Sequence, residues 1–386
     1  MQSNQIVNSR YWLKSIFGIG KVPCDTTMRD RLDPIETRFL NKAFKTIFSK
    51  IQRGGALSPM KYIQGYYLLS VDGTGFFSSS KLSSGNCLEK KDKKTGEVIS
   101  YYQQLLGASI VHPDFKEVIP LMPEMIVKQD GDTKNDCERN ACKRLLPQIR
   151  TDHPHLPICV IEDGLSSNAP HIKTLKEYNF RYILGVKPGD HAFLFDYVNS
   201  AIQDGQGNEF ECTDENNPEI THKYRFINDV PLNKSNQDVR VNFIEYWEVT
   251  KEKTKHFSWV TDFKITQENA YEIMRGGRAR WTVENETFNT LKNQGYNLEH
   301  NFGLGKKNLS AVFATLMMLT FLVDQTQQLT CNLFRKVWKK LGTKRELWDS
   351  IRAFFKTNKL DSMTQLYHAL LYGVKVQPPI ILYDTS

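Results

Sequence analysis

Apolar residues Phe39, Ala43, Phe44, Ile47, Phe48 and Ile51 recur at helical spacing within IETRFLNKAFKTIFSKI, which predicts an amphipathic helix. Asp33-Pro34 sets its start and Gly54-Gly55 its end. Residues 1–60 as a whole read as a helical N-terminal region. The period then changes. YYLLSVDGTGFF is a short apolar run that ends at Asp72 and turns through Gly73-Thr74-Gly75, the pattern of a buried strand delivering an acid at its C-terminal end. A turn at Lys94-Thr95-Gly96 precedes the strand-like ISYYQQLLGASIV, so Ser79 to Val111 predicts an antiparallel hairpin. A helix follows from about Lys134 to Leu146, stopped by Pro147. LPICVIEDG is a second apolar strand, ending at Glu162-Asp163-Gly164. After it come a helix over Asn168 to Tyr178 and a third buried strand in FRYILGVKPGD. Strand, helix, strand is the mark of a parallel sheet.

Residues 187–258 break that rhythm. NEFEC, KYRFIND, VRVNFIEYWEVT and HFSWVTDF are short alternating segments between Asn/Asp/Gly/Pro turns, which predicts a mostly β insertion. From Asn269 the chain reads as helical again, with Gly276-Gly277 as a break. The apolar run Ala311 to Val323 is shorter than the roughly 20 residues a bilayer span needs, and reads as a buried core helix. The expected organisation is a helical region over 1–60, a first core part over 61–186, the β-rich insertion over 187–258, a second core part with a helix over 259–325, and a helical C-terminal region over 326–386.

Charge adds a partner class. The formal net charge is +8. Between Gly305 and Lys359 there are eleven Lys/Arg and three Asp/Glu, and 11 − 3 = +8 accounts for the whole excess. A basic C-terminal region points to a polyanion, most simply DNA, although a solvated helix face has the same composition. Aromatics at 11% suit either a core or base stacking. The seven cysteines are odd in number and contain no CxxC pair. They read as free thiols of a reducing compartment, with no zinc-site spacing. His153 and His155 flank Pro154 with no ligand partner at metal spacing. Met1 to Phe17 lacks the layout of a signal peptide, so a soluble intracellular protein is expected.

Asp72 and Asp163 both end apolar strands. A parallel sheet sets such ends side by side, where open α/β sheets hold their ligands. Two adjacent carboxylates repel unless a proton or cation is shared. Magnesium meets that need through oxygen ligands while leaving positions for water or phosphate. Manganese is the alternative ion. With a third carboxylate, two ions can clamp the attacking and leaving oxygens of phosphoryl transfer. Glu284 is the candidate third acid. It lies on a predicted helix with Arg280 one turn before, Phe288 one turn after and Lys292 near the same face. Taken alone, Arg280 and Glu284 also fit an ordinary i,i+4 salt bridge, and an Asp after a strand also fits a turn. Trp281 suits base stacking or the core. Lys187 and His191, around Pro188-Gly189, fit phosphate contact or a simple turn. His300, in NLEHNFG, follows the helix.

The segments SVDGTGFF, VIEDGLSSN and RWTVENETFNTLKNQGYNLEHNFG resemble the DDE transposases of bacterial insertion sequences, of the insertion-sequence-four-like type. Order and spacing are similar too: 163 − 72 = 91 residues and 284 − 163 = 121 residues. The resemblance covers roughly Tyr66 to Val323. It implies an α/β fold: an RNase H-like core of mixed sheet flanked by helices, with the β insertion before the catalytic helix. It further implies Asp72, Asp163 and Glu284 as catalytic metal ligands for Mg²⁺ or Mn²⁺. Arg280, Trp281, Lys292 and Lys187 become candidate DNA contacts. The implied partners are double-stranded DNA, as transposon ends and target, and a second copy in a homodimer on DNA. No membrane is implied, and the setting is the nucleoid in a bacterial cytoplasm. Two positions depart from the family pattern. Gly277 stands where the family has a tyrosine, and Leu291 where it has a lysine, with Lys292 one later. Glu286 shadows Glu284, and Glu162 shadows Asp163. The family usually carries an N-terminal DNA-end-binding region, yet no helix-turn-helix signature is present. A shortened N-terminus, or use of the C-terminal region instead, is the matching expectation. The rival functions are an RNase H-like nuclease or resolvase without strand transfer, and a non-catalytic DNA-binding derivative.

Overall fold

The apolar run before Asp72 forms β1 (Tyr67–Ser79) in the computed structural model, which describes residues 13–21, 23–130 and 134–373, and side chains within these except 129 and 134–137. The first twelve residues of the N-terminal region and the last thirteen of the C-terminal region therefore lie outside the described residues, as does the side chain of Cys137. Leu68, Leu69, Ser70 and Val71 are all buried, because β1 is central and covered on both faces.

The strands that follow are β2 (Leu88–Lys91), β3 (Val98–His112), β4 (Phe115–Pro120) and β5 (Glu124–Ile126). After them come β6 (Ile158–Glu162), β7 (Arg181–Gly185), β8 (Asn208–Thr213), β9 (Thr221–Asn233), β10 (Asn236–Val249) and β11 (Thr254–Thr261). They form one mixed sheet in the order β2-β3-β1-β6-β7-β11-β10-β9-β8, with β4 and β5 also on β3. β1 pairs antiparallel with β3 and parallel with β6, and β6 pairs parallel with β7. The expected hairpin and parallel unit are both present. The β insertion does not stand apart. Its strands continue the sheet through an antiparallel pairing of β11 with β7.

The helices are α1 (Asp25–Leu32), α2 (Asn41–Arg53), α3 (Lys134–Asp152), α4 (Ala169–Glu177), α5 (Ala192–Gln203) and α6 (Ala270–Arg278). Beyond them lie α7 (Asn289–Asn293), α8 (Leu309–Thr330), α9 (Asn332–Leu341), α10 (Lys344–Thr357) and α11 (Met363–Tyr372). Four local expectations shift. Pro147 does not stop α3, which continues to Asp152; Leu145, Leu146 and Ile149 are buried across the proline, and that packing carries the helix past the lost hydrogen bond. The helix expected from Asp33-Pro34 begins later, through a 3₁₀ turn at Thr37–Leu40 into α2. Asp33 instead accepts hydrogen bonds from the backbone N–H groups of Lys306, Lys307, Asn308 and Leu309, capping the start of α8 from far away in sequence. The segment 187–258 opens with α5, whose Leu194, Phe195 and Val198 are buried.

Gly276-Gly277 is the fourth shift: both residues lie inside α6. A Cβ on Gly277 would sit 2.4 Å from Nε1 of Trp259 on β11. The glycines let the helix lie close on the sheet rather than break it. Gly277→Ala is expected to destabilise the fold by about 1–3 kcal/mol through overpacking, read as a lower urea midpoint with an unchanged m-value.

α8 is long and apolar enough by length and composition to cross a membrane. In the fold it packs on β4 and α2. Its buried Gln325 accepts from the Val118 N–H at 3.0 Å, and its Gln328 donates to Glu117 at 2.9 Å, which ties the helix to β4. α9 to α11 close a second small core around Phe334, Val337, Leu347, Ile351 and Leu366.

His153 sits against Phe48 of α2, ring centroids 4.2 Å apart. Burial pushes its pKa down from 6.5 to about 4. The unfolded chain then binds more protons than the folded one between these values, so stability falls as pH drops from about 6.5 to 4. The loss attributable to His153 is on the order of 2–3 kcal/mol. His153→Gln is expected to flatten the fall in Tm between pH 7 and pH 4.

Candidate active site

The sheet's register brings two of the acids level. In the parallel ladder of β1 and β6, Ser70 lies opposite Ile161. Two residues beyond that pair lie Asp72, within β1, and Asp163, just past the last paired position of β6, on the side that strand alternation assigns to both. Asp163 follows directly after β6, and its carboxylate accepts the Leu165 N–H at 3.0 Å, so it also forms a turn. Glu162 points the other way. It is buried behind the sheet against Cys142 of α3 and His171 of α4, as strand alternation requires.

Glu284 arrives from the opposite direction. After α6 ends at Arg278 the chain forms a π-helical turn, Val283–Phe288, an irregularity frequent at functional sites. Three contacts seat this stretch on β1 and β3. The Ser70 hydroxyl donates to the carbonyl of Arg280 at 3.0 Å. The hydroxyls of Ser109 and Thr287 meet at 3.3 Å. The Phe288 ring fills the space over Gly107, where a Cβ would come within 2.8 Å of it. Gly107 is the β3 partner of Asp72, so the turn lies directly over that acid.

The result is a charge cluster. Nη1 of Arg280 donates to Asp72 Oδ2 at 3.1 Å and to Glu284 Oε1 at 2.9 Å. The Gly73 N–H donates to the other oxygen of Asp72 at 2.8 Å. Burial, reinforced by the nearby Glu284, pushes the Asp72 carboxyl up to about 7. Two acids held around one guanidinium thus still leave Asp72 short of positive charge. The i,i+4 pairing of Arg280 with Glu284 exists, but it is one half of a bridge to Asp72. Glu286 lies on another side of the turn, where its charge acts on the half-buried ammonium of Lys344.

The donor set suits a hard cation. Asp72, Asp163 and Glu284 offer only carboxylate oxygens, which is magnesium and manganese chemistry rather than zinc chemistry. Burial of Asp72 beside Glu284 raises its carboxyl, a shift that a bound cation or a proton would relieve.

The softer candidates separate. Arg280 has a side chain only 13% exposed and is engaged by the two acids. Trp281 is 51% exposed, so it is not core, and its ring lies 4.4 Å from the Arg280 guanidinium. Lys187 and His191 line a cleft of about 800 Å³ together with Asp163, Arg139 and Asn233. Lys292 pairs with Glu299 at 2.8 Å. His300 is exposed and packs on Phe302, away from the Arg280 bridge.

No family model and no curated protein sequence matches this chain. Among solved structures, the chain is similar to that of the piggyBac transposase in a cryo-electron microscopy structure of its synaptic complex with hairpin DNA. The alignment covers 91% of this chain and 76% of that one, at 10% identity and a TM-score of 0.33. A likeness of that size carries no residue roles from one chain to the other.

Sequence reasoning missed one basic feature. Between α2 and the loop after α3 lies a cleft of about 910 Å³, lined by Arg38, Lys42, Lys45, Lys50 and Arg53 among others. These cations were visible in the helix sequence, but the cleft they share forms only when α2 docks beside His153. The C-terminal basic excess is partly engaged: Lys340 donates to the carbonyls of Leu370 and Leu371, and Lys344 is half-buried near Asp324. Lys306, Lys307, Lys336, Lys339 and Arg345 are exposed.

Proposed function

We propose that this protein is a DNA transposase of the DDE type, cleaving phosphodiesters at transposon ends and joining the freed strand to target DNA. The observation that carries the reading is the Asp72–Arg280–Glu284 bridge, built from a central strand and a π-turn. The strand order supports an RNase H-like core: an antiparallel set around β3 and β1, then β6 and β7 parallel to β1. The β8 to β11 extension stands in the interval before Glu284, where the resembled family has its β insertion.

Asp72, Asp163 and Glu284 would hold the divalent cations, Mg²⁺ or Mn²⁺. When bound, such ions supply Lewis-acid activation of water and charge stabilisation at the leaving oxygen. The chain's own residues do the rest. Arg280 holds Asp72 and Glu284 together against their repulsion. Gly73 N–H orients Asp72. Lys187 and Arg139, at the rim beside Asp163, supply cations for backbone phosphates. Water attacks phosphorus at the transposon end, the P–O3′ bond breaks, and the 3′ oxygen leaves as a hydroxyl after taking a proton. That hydroxyl then attacks a target phosphodiester in-line, joining its oxygen to the target phosphorus as the target P–O3′ bond breaks; the attacking oxygen gives up its proton and the target 3′ oxygen leaves as a hydroxyl. The DNA path would use the exposed cations of the α2 cleft and the C-terminal helices, with two copies acting on paired ends in the bacterial nucleoid.

The test uses the purified full chain, a labelled duplex carrying the ends of the DNA segment that encodes it, and a supercoiled plasmid. Nicks leaving 3′-OH ends and labelled strand-transfer products are expected with Mg²⁺ and not with EDTA. Cleavage without plasmid joining would replace this reading with a nuclease or resolvase. Binding without cleavage would replace it with a non-catalytic DNA-binding derivative.

A further inference from the structure

Behind the sheet, on the face opposite Asp72, three ligating side chains meet. Cys142 comes from α3, Glu162 from the last position of β6 and His171 from α4. Their ligand atoms all lie within 4.8 Å of one another. His171 Nε2 is 2.5 Å from one Glu162 oxygen, and Cys142 Sγ is 3.7 Å from the other. Cys142 and Glu162 are buried, and His171 is 12% exposed. A cleft of about 250 Å³, lined by Asn140, Asn168, His171 and Thr174 among others, opens beside the imidazole.

We propose that Cys142, Glu162 and His171 form a second metal site, for one thiophilic divalent cation of the zinc class, which pins the end of β6 to α3 and α4. Sulfur, imidazole and carboxylate are the ligand types of such ions, and three protein ligands leave a fourth position for water, which the adjacent cleft can admit. Tetrahedral zinc, with bonds of about 2.0–2.3 Å, separates its ligand atoms by roughly 3.3–3.8 Å. The Cys142–Glu162 spacing is already in that range, and the imidazole needs to move back by about an ångström from the carboxylate. The charge count also balances. Without metal, a neutral thiol, a carboxylate and an imidazolium sum to zero. With metal, a thiolate, a carboxylate and a neutral imidazole carry two negative charges, and the ion brings two positive ones. One M²⁺ enters, two protons leave, and the buried pocket keeps the same net charge, which avoids the large penalty of burying an unpaired charge. The hard-oxygen cleft on the other face selects a different kind of ion, so the two sites are separable by metal type. Because Glu162 is bonded in sequence to Asp163, an ion here would also hold the strand end that delivers Asp163.

The test needs no DNA and no turnover. Metal-stripped full-length protein is titrated with Co²⁺ and followed by absorption. One equivalent is expected to give a near-ultraviolet thiolate-to-cobalt charge-transfer band and a visible band of tetrahedral intensity, both removed by one equivalent of Zn²⁺ and not by excess Mg²⁺. Cys142→Ser is expected to abolish the charge-transfer band. His171→Gln is expected to weaken Co²⁺ binding by at least roughly tenfold while keeping that band at high cobalt. Asp72→Asn is expected to change neither. Absence of the band in the folded wild-type chain overturns the site, as does a band that survives in folded Cys142→Ser. Should Cys142→Ser fail to fold, an unchanged cobalt affinity in His171→Gln overturns it instead.

Discussion

Asp72→Asn, Asp163→Asn and Glu284→Gln are each expected to lower Mg²⁺-dependent cleavage of the end duplex by roughly 10³-fold or more, while DNA binding survives. The amides keep the shape of the side chains and remove the charge that holds a cation. A bound metal contributes several kcal/mol to phosphoryl transfer, and about 4 kcal/mol is a factor of 10³ in rate. Affinity is expected to hold because the exposed cations proposed to meet phosphate lie elsewhere, on α2, at Lys187 and in the C-terminal helices. Gel-shift titration and a cleavage time course on the same preparations separate the two quantities. Cleavage at the wild-type rate in any one variant removes that residue from the site. Glu286→Gln serves as the control, because its charge acts on Lys344 rather than on Arg280. Equal losses in Glu284→Gln and Glu286→Gln would mean that general damage to the turn, rather than ligation, explains the effect.

Gly107→Ala is expected to lose activity without losing the fold. The new Cβ would lie 2.8 Å from Cε1 and 2.9 Å from Cζ of Phe288, so the ring must lift and carry the π-turn with it. Glu284 sits one turn before Phe288 on that same stretch. A displacement of about an ångström at a reacting group can cost on the order of 10² in rate. Overpacking of this kind costs about 1–3 kcal/mol of stability. The compensating change is Phe288→Leu, which shortens the side chain over position 107. The double variant is expected to recover cleavage relative to Gly107→Ala. Unchanged cleavage in the single variant would show that the seat of Phe288 on β3 does not set the position of Glu284.

The strands carrying Asp72 and Asp163 were legible because each is a short, mostly apolar run ending in an acid and a glycine. A strand covered on both faces has to look like that. Where a helix stops was less legible. Pro147 and Gly276-Gly277 are local stop signals, and in both cases packing outweighed them: buried leucines and Ile149 in α3, and the close approach of α6 to Trp259. The helix α5 was hidden inside a segment dominated by alternating strands. Trp281 fits either a core or an exposed position by composition, and only the turn's docking angle leaves it in solvent over Arg280.

The pairs Glu162/Asp163 and Glu284/Glu286 divide along the same line. In each, the sequence offers two acids within two residues, and local chemistry alone does not choose. The β1–β6 register places Asp163 on the Asp72 face and sends Glu162 to Cys142 and His171. The π-turn sends Glu284 to Arg280 and Glu286 toward Lys344. The Cys142, Glu162 and His171 cluster was invisible for a related reason. Its members come from two helices and a strand, so no ligand spacing exists along the chain.

By itself, the sequence determined which segments are buried strands, that acids end two of them, and that the C-terminal region is basic. Each of these is a property of neighbouring residues and their period. The tertiary structure alone decided that Arg280 bridges Asp72 to Glu284, that Gly107 makes room for Phe288 above Asp72, and that the basic face of α2 borders a cleft. These depend on strand register and helix docking, which are set by packing among residues some 35 to 210 positions apart and leave no local period to read.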